Sequence, residues 1–211
     1  MARLVSVNVG RPQPVGARRG RIVKSAIGKA PVDGRVRVAG VNVEGDDQAD
    51  RSVHGGPDKA IYAYAAEDTA WWQEELGREL GPGAFGENLT VEGVDVSGAL
   101  VGERWRLGTI ELEVCQPRFP CFKLGLRFGD PKMLRRFTRA ERPGAYLRIV
   151  REGEIGAGDA IEVVDRPAHA ITIALVARAV MIDHALLAGA AAAPALPGDL
   201  SDWMRERAAA A

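Results

Sequence analysis

The chain has 211 residues, 46% hydrophobic and 27% charged, which is enough apolar sequence for one substantial core and excludes a disordered chain. Lys and Arg together number 28, as do Asp and Glu, so the formal net charge is zero. No overall field therefore attracts nucleic acid or anionic lipid, and any anion site must be local.

The amino terminus alternates apolar and polar residues and then breaks at Gly10, unlike the continuous apolar run of a secretion signal. No segment of the sequence reaches membrane-spanning length. With only 2 cysteines, a disulfide framework is not indicated. We therefore expect a cytoplasmic protein that does not contact a membrane.

Up to Val164 the sequence favours short strands separated by Gly, Pro and Asp, a spacing typical of a mixed, mainly β fold with a closed or partly closed barrel. One helix is predicted over 67–80, where Trp71, Trp72, Leu76 and Leu80 recur at helical spacing, and a short one over 131–138. The predicted strands are 4–9, 36–43, 60–64, 104–107, 110–114, 145–150 and 160–164.

After residue 166 the composition changes to alanine and leucine and predicts helices over 172–181, 183–192 and 199–208. We therefore divide the chain into a β-barrel domain, 1–166, and a three-helix C-terminal segment, 167–211. The segment has too few basic residues for a DNA-reading face, so no nucleic-acid partner is expected. Its helices either form a homodimer interface or cover the barrel, and Trp203 is a candidate wall of a substrate pocket.

The most informative segment is 114–123, V-C-Q-P-R-F-P-C-F-K, in which two prolines stiffen a loop after a strand. Arg118 and Lys123 flank Cys121 and favour its thiolate, which is a better nucleophile and metal ligand than a thiol. Cys115 continues the strand on the face opposite Val114, and we interpret it as an inert, partly buried residue. The two cysteines and the scattered histidines, His54, His169 and His184, do not have zinc-site spacing.

A second candidate is the segment 51–59, R-S-V-H-G-G-P-D-K. Its adjacent glycines and the donors Arg51, His54 and Lys59 suit a phosphate or other oxyanion. A tight turn between two strands explains the same residues equally well. The sequence alone favours neither interpretation.

The segment 81–88, G-P-G-A-F-G-E-N, matches the dinucleotide pattern G-x-G-x-x-G, but it follows a helix and runs into a strand, the reverse of the required context. We interpret the match as spurious and the glycines as helix caps. Asn88, just after the loop, is placed to read the edge of a heterocycle.

An early segment, 25–31, carries Lys29 beside Gly28, where we expect a ligand contact. The preceding cationic run is interpreted as a solvated face whose residues pair with carboxylates further along the chain. The cations are Arg18, Arg19, Arg21 and Lys24, and the carboxylates are Glu44, Asp46, Asp47 and Asp50.

Taken together, five ordered motifs resemble the MOSC family, in its YiiM-like stand-alone branch with a short three-helix tail. The motifs are S-A-I-G-K at 25–29, E-G-D-D-Q-A at 44–49, V-H-G-G-P-D-K at 53–59, F-G-E-N-L at 85–89 and Q-P-R-F-P-C at 116–121. The resemblance spans nearly the whole chain and implies a MOSC-type β-barrel.

The resemblance further implies that Cys121 ligates the metal of a molybdenum cofactor (molybdopterin) used to reduce N-hydroxylated compounds such as 6-hydroxylaminopurine. The implied cofactor contacts are Lys29, Arg51, His54, Lys59, Asn88 and Arg118. At family level it also implies pyridoxal phosphate binding. His54 is the expected proton donor, because imidazole titrates near neutrality.

The sequence has no cysteine set for an iron–sulfur cluster, so electrons are expected from a separate donor protein. Two alternatives remain open. In one, Cys121 and His54 form a metal-free thiol enzyme or sulfur carrier. In the other, the chain binds the cofactor without catalysis.

Overall fold

The structure, a computed structural model, describes residues 1–47 and 55–210. Two residues predicted to bind the cofactor, Arg51 and His54, lie outside the described residues. The thirteen strands are β1 Arg3–Val9, β2 Gln13–Arg18, β3 Arg21–Ser25, β4 Ala30–Pro31, β5 Arg35–Ala39, β6 Asn42–Val43, β7 Ile61–Ala65, β8 Leu89–Glu92, β9 Arg104–Leu107, β10 Ile110–Pro117, β11 Ala145–Arg151, β12 Gly153–Gly156 and β13 Ile161–Asp165.

Helices occupy the connections and the C-terminal segment of the described chain. The α-helices are α1 Ala66–Leu76, α2 Phe122–Phe128, α3 Met133–Ala140, α4 Ile173–Met181, α5 Leu187–Ala190 and α6 Gly198–Ala209, with 3-10 turns at Pro57–Lys59 and His184–Leu186. None of the described helices is both long and apolar enough to cross a bilayer.

Eight strands form one large sheet in the order β13-β9-β10-β11-β7-β8-β1-β4. Its neighbours are antiparallel except β7 and β8, which run parallel. Smaller sheets, β12-β5-β6 and β2-β3, complete a mixed, mainly β fold. The N–H of Leu4 donates to the carbonyl of Asp159 at 2.9 Å, which ties β1 to the chain just before β13. Closure into a barrel stays a prediction.

Two predicted elements end where glycine allows a left-handed backbone. The helix predicted over 67–80 ends at Leu76, because Gly77 adopts a φ of 62° and its N–H caps the carbonyls of Gln73 and Glu74. The strand predicted over 36–43 is a hairpin of β5 and β6, which turns at Gly40 with a φ of 62°.

Other boundaries differ through local hydrogen bonding. The helix predicted over 131–138 is α3, which begins two residues later because the carboxylate of Asp130 accepts from the N–H of Lys132 at 2.7 Å. The helix predicted over 183–192 is a 3-10 turn followed by the short α5. The hairpin β2–β3 and helix α2 were not predicted.

The C-terminal helices share the main core with the large sheet. Ile173, Val176 and Met204 are buried in the same cluster as Leu112 and Leu147 of the sheet. The backbone joins them as well, since the N–H of Ile173 donates to the carbonyl of Ala99 at 3.0 Å. These helices therefore cover the sheet. The division at residue 166 and a homodimer both stay predictions.

A second, aromatic cluster lies between β7, α1, α2 and α3. Its members are buried, and the ring centroids of Tyr64 and Phe85 are 4.7 Å apart. The indole N–H of Trp72 donates to the hydroxyl of Tyr64 at 2.9 Å, and the hydroxyls of Tyr62 and Tyr64 donate to the carbonyls of Pro143 and Arg142 at 2.9 and 3.1 Å. This rigid packing supports the cleft described next.

Candidate functional site

A cleft forms where β10 ends and α2 begins, opposite the chain that follows β3 and the loop that precedes β8. Five of the residues predicted from sequence line it together: Lys29, Lys59, Asn88, Arg118 and Cys121. The lining also includes Asp46, Asp47, Tyr62, Lys123 and Tyr146. The structure thus brings together every described residue that was predicted to hold the metal or contact the cofactor.

Cys121 lies at the mouth of this cleft as a free, partly exposed cysteine. It is the residue before α2, with an extended backbone at φ −120° and ψ 169°, and its carbonyl accepts from the N–H of Leu124 at 2.9 Å. Pro120 restrains the approach to this position. The thiol is therefore held on a stiff turn anchored by a helix, as a metal ligand or nucleophile requires.

Arg118 is a buried cation, 7% exposed, whose guanidinium donates to the carbonyl of Phe85 and lies over the rings of Tyr62 and Phe137 at 5.1 and 5.5 Å. Burial opposes its charge, yet Tyr62, Tyr146 and Cys121 raise the pKa of Arg118 above its ordinary value. Within the described part of the chain it has no carboxylate partner. A buried cation without an anion costs several kcal/mol, roughly, and the cleft is therefore suited to an anionic ligand.

A buried carboxylate, Asp46, organises the opposite wall. It accepts the N–H of Gly10 at 2.7 Å, the side-chain amide of Asn88 at 2.9 Å and the ammonium of Lys29. The exposed fractions of the Lys29 and Asp46 side chains are 8% and 2%. Burial lowers the pKa of Lys29, against the attraction of Asp46. From the sequence, Asp46 was interpreted as a counter-charge to Arg18, Arg19, Arg21 and Lys24 and as part of the motif at 44–49. In the structure it pairs instead with Lys29.

Asn88 is largely engaged by the protein itself. Its amide nitrogen donates to Asp46 and, at 3.3 Å, to the carbonyl of Asn8, while its oxygen accepts the N–H of Tyr62 at 3.2 Å. These bonds connect β1, β7 and the loop before β8. Asn88 therefore fixes the wall of the cleft, and its role toward a ligand stays a prediction.

The glycine pattern at 81–86 is explained by close packing. Gly83 and Gly86 both have a φ of 80°, and a Cβ at Gly83 would lie 2.6 Å from the carbonyl oxygen of Lys29. The buried carboxylate of Glu87 accepts from the N–H groups of Gly83 and Phe85 at 2.6 and 3.0 Å. The loop thus presses Lys29 into the cleft, which agrees with the interpretation that the dinucleotide match is spurious.

Cys115 is more buried than Cys121 and lies outside the cleft lining. It is the extra residue of a β-bulge, since Val114 pairs with Leu147 and Gln116 pairs with Tyr146. It is 0% exposed, and its thiol donates to the carbonyls of Asp58 and Tyr146 at 3.0 and 3.3 Å. Burial raises the pKa of Cys115 to about 12. This is an inert thiol, more deeply buried than the sequence indicated.

We expect iodoacetamide at pH 8 to label Cys121 and leave Cys115 intact. Below a pKa of about 12 Cys115 stays protonated, so its thiolate fraction at pH 8 is roughly a thousandfold below that of an ordinary cysteine. Peptide mass spectrometry over a time course measures both sites, and denatured protein, labelled at both, is the control. Equal labelling of the two cysteines in the folded protein contradicts the assignment.

Sequence reasoning missed two phenols, Tyr62 and Tyr146, whose ring centroids are 5.2 Å apart beside Arg118. Tyr62 on β7 and Tyr146 on β11 are directly opposite each other on neighbouring strands. The sequence alone does not show that these two strands are neighbours. The pKa values of both are raised, chiefly by burial. Trp203, 43% exposed on α6, does not border the cleft.

Comparison with known proteins places the chain in a family. The profile of the MOSC domain matches residues 50–162, and the chain belongs to the MOSC domain family. It is 38% identical to the uncharacterized protein YflK of Bacillus subtilis over 81% of this chain and 76% of that protein. It is 34% identical to the protein YiiM of Escherichia coli over 67% of this chain and 65% of that protein.

A protein of Gibberella moniliformis named reductase is 38% identical over 78% of this chain, which matches only 29% of that longer protein. Among solved structures, YiiM from Geobacillus stearothermophilus superposes with a TM-score of 0.81 at 30% identity. The superposition covers 99% of this chain and 100% of that one. The chain is therefore a YiiM-like MOSC protein.

Proposed function

We propose that this protein is an oxidoreductase that uses a molybdenum cofactor to reduce N-hydroxylated compounds, with Cys121 as the protein ligand to the metal. The observation that carries the proposal is the cleft itself, where one accessible thiol lies beside a buried cation without a described carboxylate partner. Membership of the MOSC family and a relative named reductase support an oxidoreductase role.

The residues present fit such a cofactor. Molybdopterin combines a phosphate, a hydrogen-bonding pterin and a soft metal, which require cations, amide or carbonyl groups and a thiolate respectively. Arg118, Lys59 and Lys29 would bind the phosphate and pterin, and Cys121 would hold the metal. When bound, the cofactor supplies two-electron redox chemistry that no side chain provides.

The reaction converts a hydroxylamine, two electrons and two protons into an amine and water. The chain's own residues orient the substrate and move the protons. Tyr146, Lys123, Asp47 and Lys59 line the cleft together with Cys121. His54 keeps the proton-donor role in this proposal, and the buried aromatic cluster excludes water from one wall.

Elemental analysis for molybdenum on protein from a cofactor-competent host tests the proposal. We expect about one molybdenum per chain in the wild type and in Cys115→Ser, and a loss of at least about tenfold in Cys121→Ser, since the metal–thiolate bond is removed. Cys115→Ser is a matched control because a serine hydroxyl can donate its one proton to either of the two carbonyls that surround this thiol.

The activity assay uses 6-hydroxylaminopurine with reduced methyl viologen as electron donor. Turnover of this substrate by the metal-loaded wild type is the result expected from the proposed reductase function. Metal-free protein in every sample, together with activity lost on alkylation, replaces the proposal with a thiol enzyme. Bound metal without turnover of any hydroxylamine replaces it with a cofactor-binding module.

A further inference from the structure

The positive charge of this neutral chain is concentrated beside the cleft. The segments 11–31 and 118–140 together contain thirteen cations and one carboxylate, although Lys plus Arg and Asp plus Glu are balanced overall at 28 each. The first segment is mostly the hairpin β2–β3, and the second carries Cys121, α2 and α3. A balanced total therefore conceals a strongly basic region.

The two segments pack against each other. The guanidinium of Arg18 lies 4.2 Å from the ring centroid of Phe122, the residue after Cys121. A Cβ at Gly16 would lie 3.3 Å from the side chain of Leu126 in α2. Ser25, where β3 ends, lines the cleft itself. The hairpin thus forms the rim of the cleft next to the reactive thiol.

The basic surface on this rim consists of Arg11, Arg18, Arg19, Arg21, Lys24 and Arg127, all of them exposed. None of the six forms an ion pair with a carboxylate that the structure describes. The sequence-based expectation that the hairpin cations pair with carboxylates downstream is therefore wrong for the described residues, where Asp46 pairs with Lys29. The field of this surface is not neutralised locally.

The positive charges on the hairpin destabilise the pairing of its two strands. Arg18 and Arg21 are directly opposite in the register, and Arg19 adopts a φ of 50° in the turn between them. Like charges opposite each other destabilise a strand pair. Ile22, beside them, is 73% exposed. An exposed apolar side chain on a cationic hairpin matches a protein interface, which has an apolar centre and a polar rim, better than a surface that binds a phosphate backbone.

We propose that this basic surface docks an acidic electron-carrier protein and so delivers electrons at the mouth of the cleft. The inference rests on the proposed reductase function and supplies its missing partner. Two successive one-electron transfers from reduced carrier molecules, each of which is oxidised and leaves, supply the two electrons; the N–O bond of the substrate breaks with uptake of two protons and gives an amine and water. Electron-transfer complexes bury small interfaces, and charge steers their association. An exposed cationic hairpin would attract an acidic carrier in this way.

The test compares Arg11→Gln/Arg21→Gln/Lys24→Gln with Arg37→Gln/Arg151→Gln/Arg207→Gln. The control removes three exposed cations, also without described ion pairs, from β5, β11 and α6. The probes are an oxidised acidic [2Fe–2S] ferredoxin and an oxidised acidic flavodoxin, titrated at low and high salt. We expect at least about tenfold weaker binding for the hairpin variant, a reduced salt dependence, and a change below about twofold for the control.

The outcomes separate docking from the reductase function. Viologen-driven turnover of 6-hydroxylaminopurine is expected to be unchanged in the hairpin variant, while its KM for reduced carrier rises. If wild type lacks viologen-driven turnover, the proposed function fails, whatever the carriers do. If neither carrier binds with salt sensitivity, or both variants bind equally, docking is overturned. Hairpin-dependent binding of a single-stranded oligonucleotide or of anionic vesicles, without carrier binding, also overturns it.

Discussion

Replacing Arg118 with methionine is expected to weaken retention of the cofactor while raising the melting temperature of the metal-free protein. Methionine preserves packing against Tyr62 and Phe137 but removes a buried charge without a described carboxylate partner. Loss of charge-assisted hydrogen bonds to an anionic ligand is worth about 1.5–3 kcal/mol, or roughly 10- to 100-fold in affinity. Removal of the unpaired charge is expected to raise the melting temperature by about 2–4 °C.

The matched comparison is Arg148→Met. Arg148 is a partly buried arginine, less buried than Arg118, and it pairs with the carboxylates of Asp58 and Glu113. Its removal leaves Asp58 without this cation and Glu113 with Arg104 alone, so we expect a lower melting temperature. Thermal unfolding of both metal-free variants measures whether the melting temperature rises or falls, and molybdenum content measures how much cofactor each variant retains. A destabilised Arg118→Met that keeps its metal refutes a ligand-binding role for Arg118.

Replacing Asp46 with asparagine is expected to lower the free energy of unfolding by about 3–5 kcal/mol, as for breaking a buried ion pair from one side. The substitution leaves the ammonium of Lys29 buried without its partner and places an amide against donors from Gly10 and Asn88. Urea unfolding monitored by tryptophan fluorescence measures the loss.

Two further variants test whether that loss of stability comes from breaking the pair of Lys29 and Asp46. Glu162→Gln removes a carboxylate from an exposed pair with Arg106 and is expected to cost at most about 1 kcal/mol. In the Asp46→Asn background, Lys29→Met removes the unpaired cation and is expected to recover part of the lost stability. Additive losses for the two substitutions would show that Lys29 and Asp46 do not act as a pair.

Local sequence signals predicted the elements with clear periodicity and turn residues. Strand β9 has its predicted bounds, and the other predicted strands shift by at most a few residues, except the one over 36–43, which is the hairpin of β5 and β6. Helix α2 was missed, since it begins after two prolines and contains Gly125, which packs close to the carbonyl of Asp130. Sheet order, including the parallel pair of β7 and β8, depends on contacts distant in sequence.

The candidate site likewise contains some residues that local sequence signals predicted and others that they did not. Cys121 and Arg118 were predictable, since a thiol and a cation on a proline-stiffened loop carry a chemical signal within a few residues. The burial of Asp46 was not, because a carboxylate in E-G-D-D resembles a solvated turn until β1, Lys29 and Asn88 enclose it. Tyr146 reaches the cleft through strand pairing, which no short pattern encodes.

The burial of the C-terminal helices in the sheet's own core has a consequence for how this region is inherited. The MOSC profile spans 50–162, yet β1 and the helices that complete the core lie on either side of that span. A gene fusion that transferred only the profile region would separate Leu112 and Leu147 from Ile173 and Met204. The segment that must be transferred to keep this core is therefore longer than the segment that the MOSC profile matches. This agrees with the 168 residues aligned inside the longer Gibberella protein.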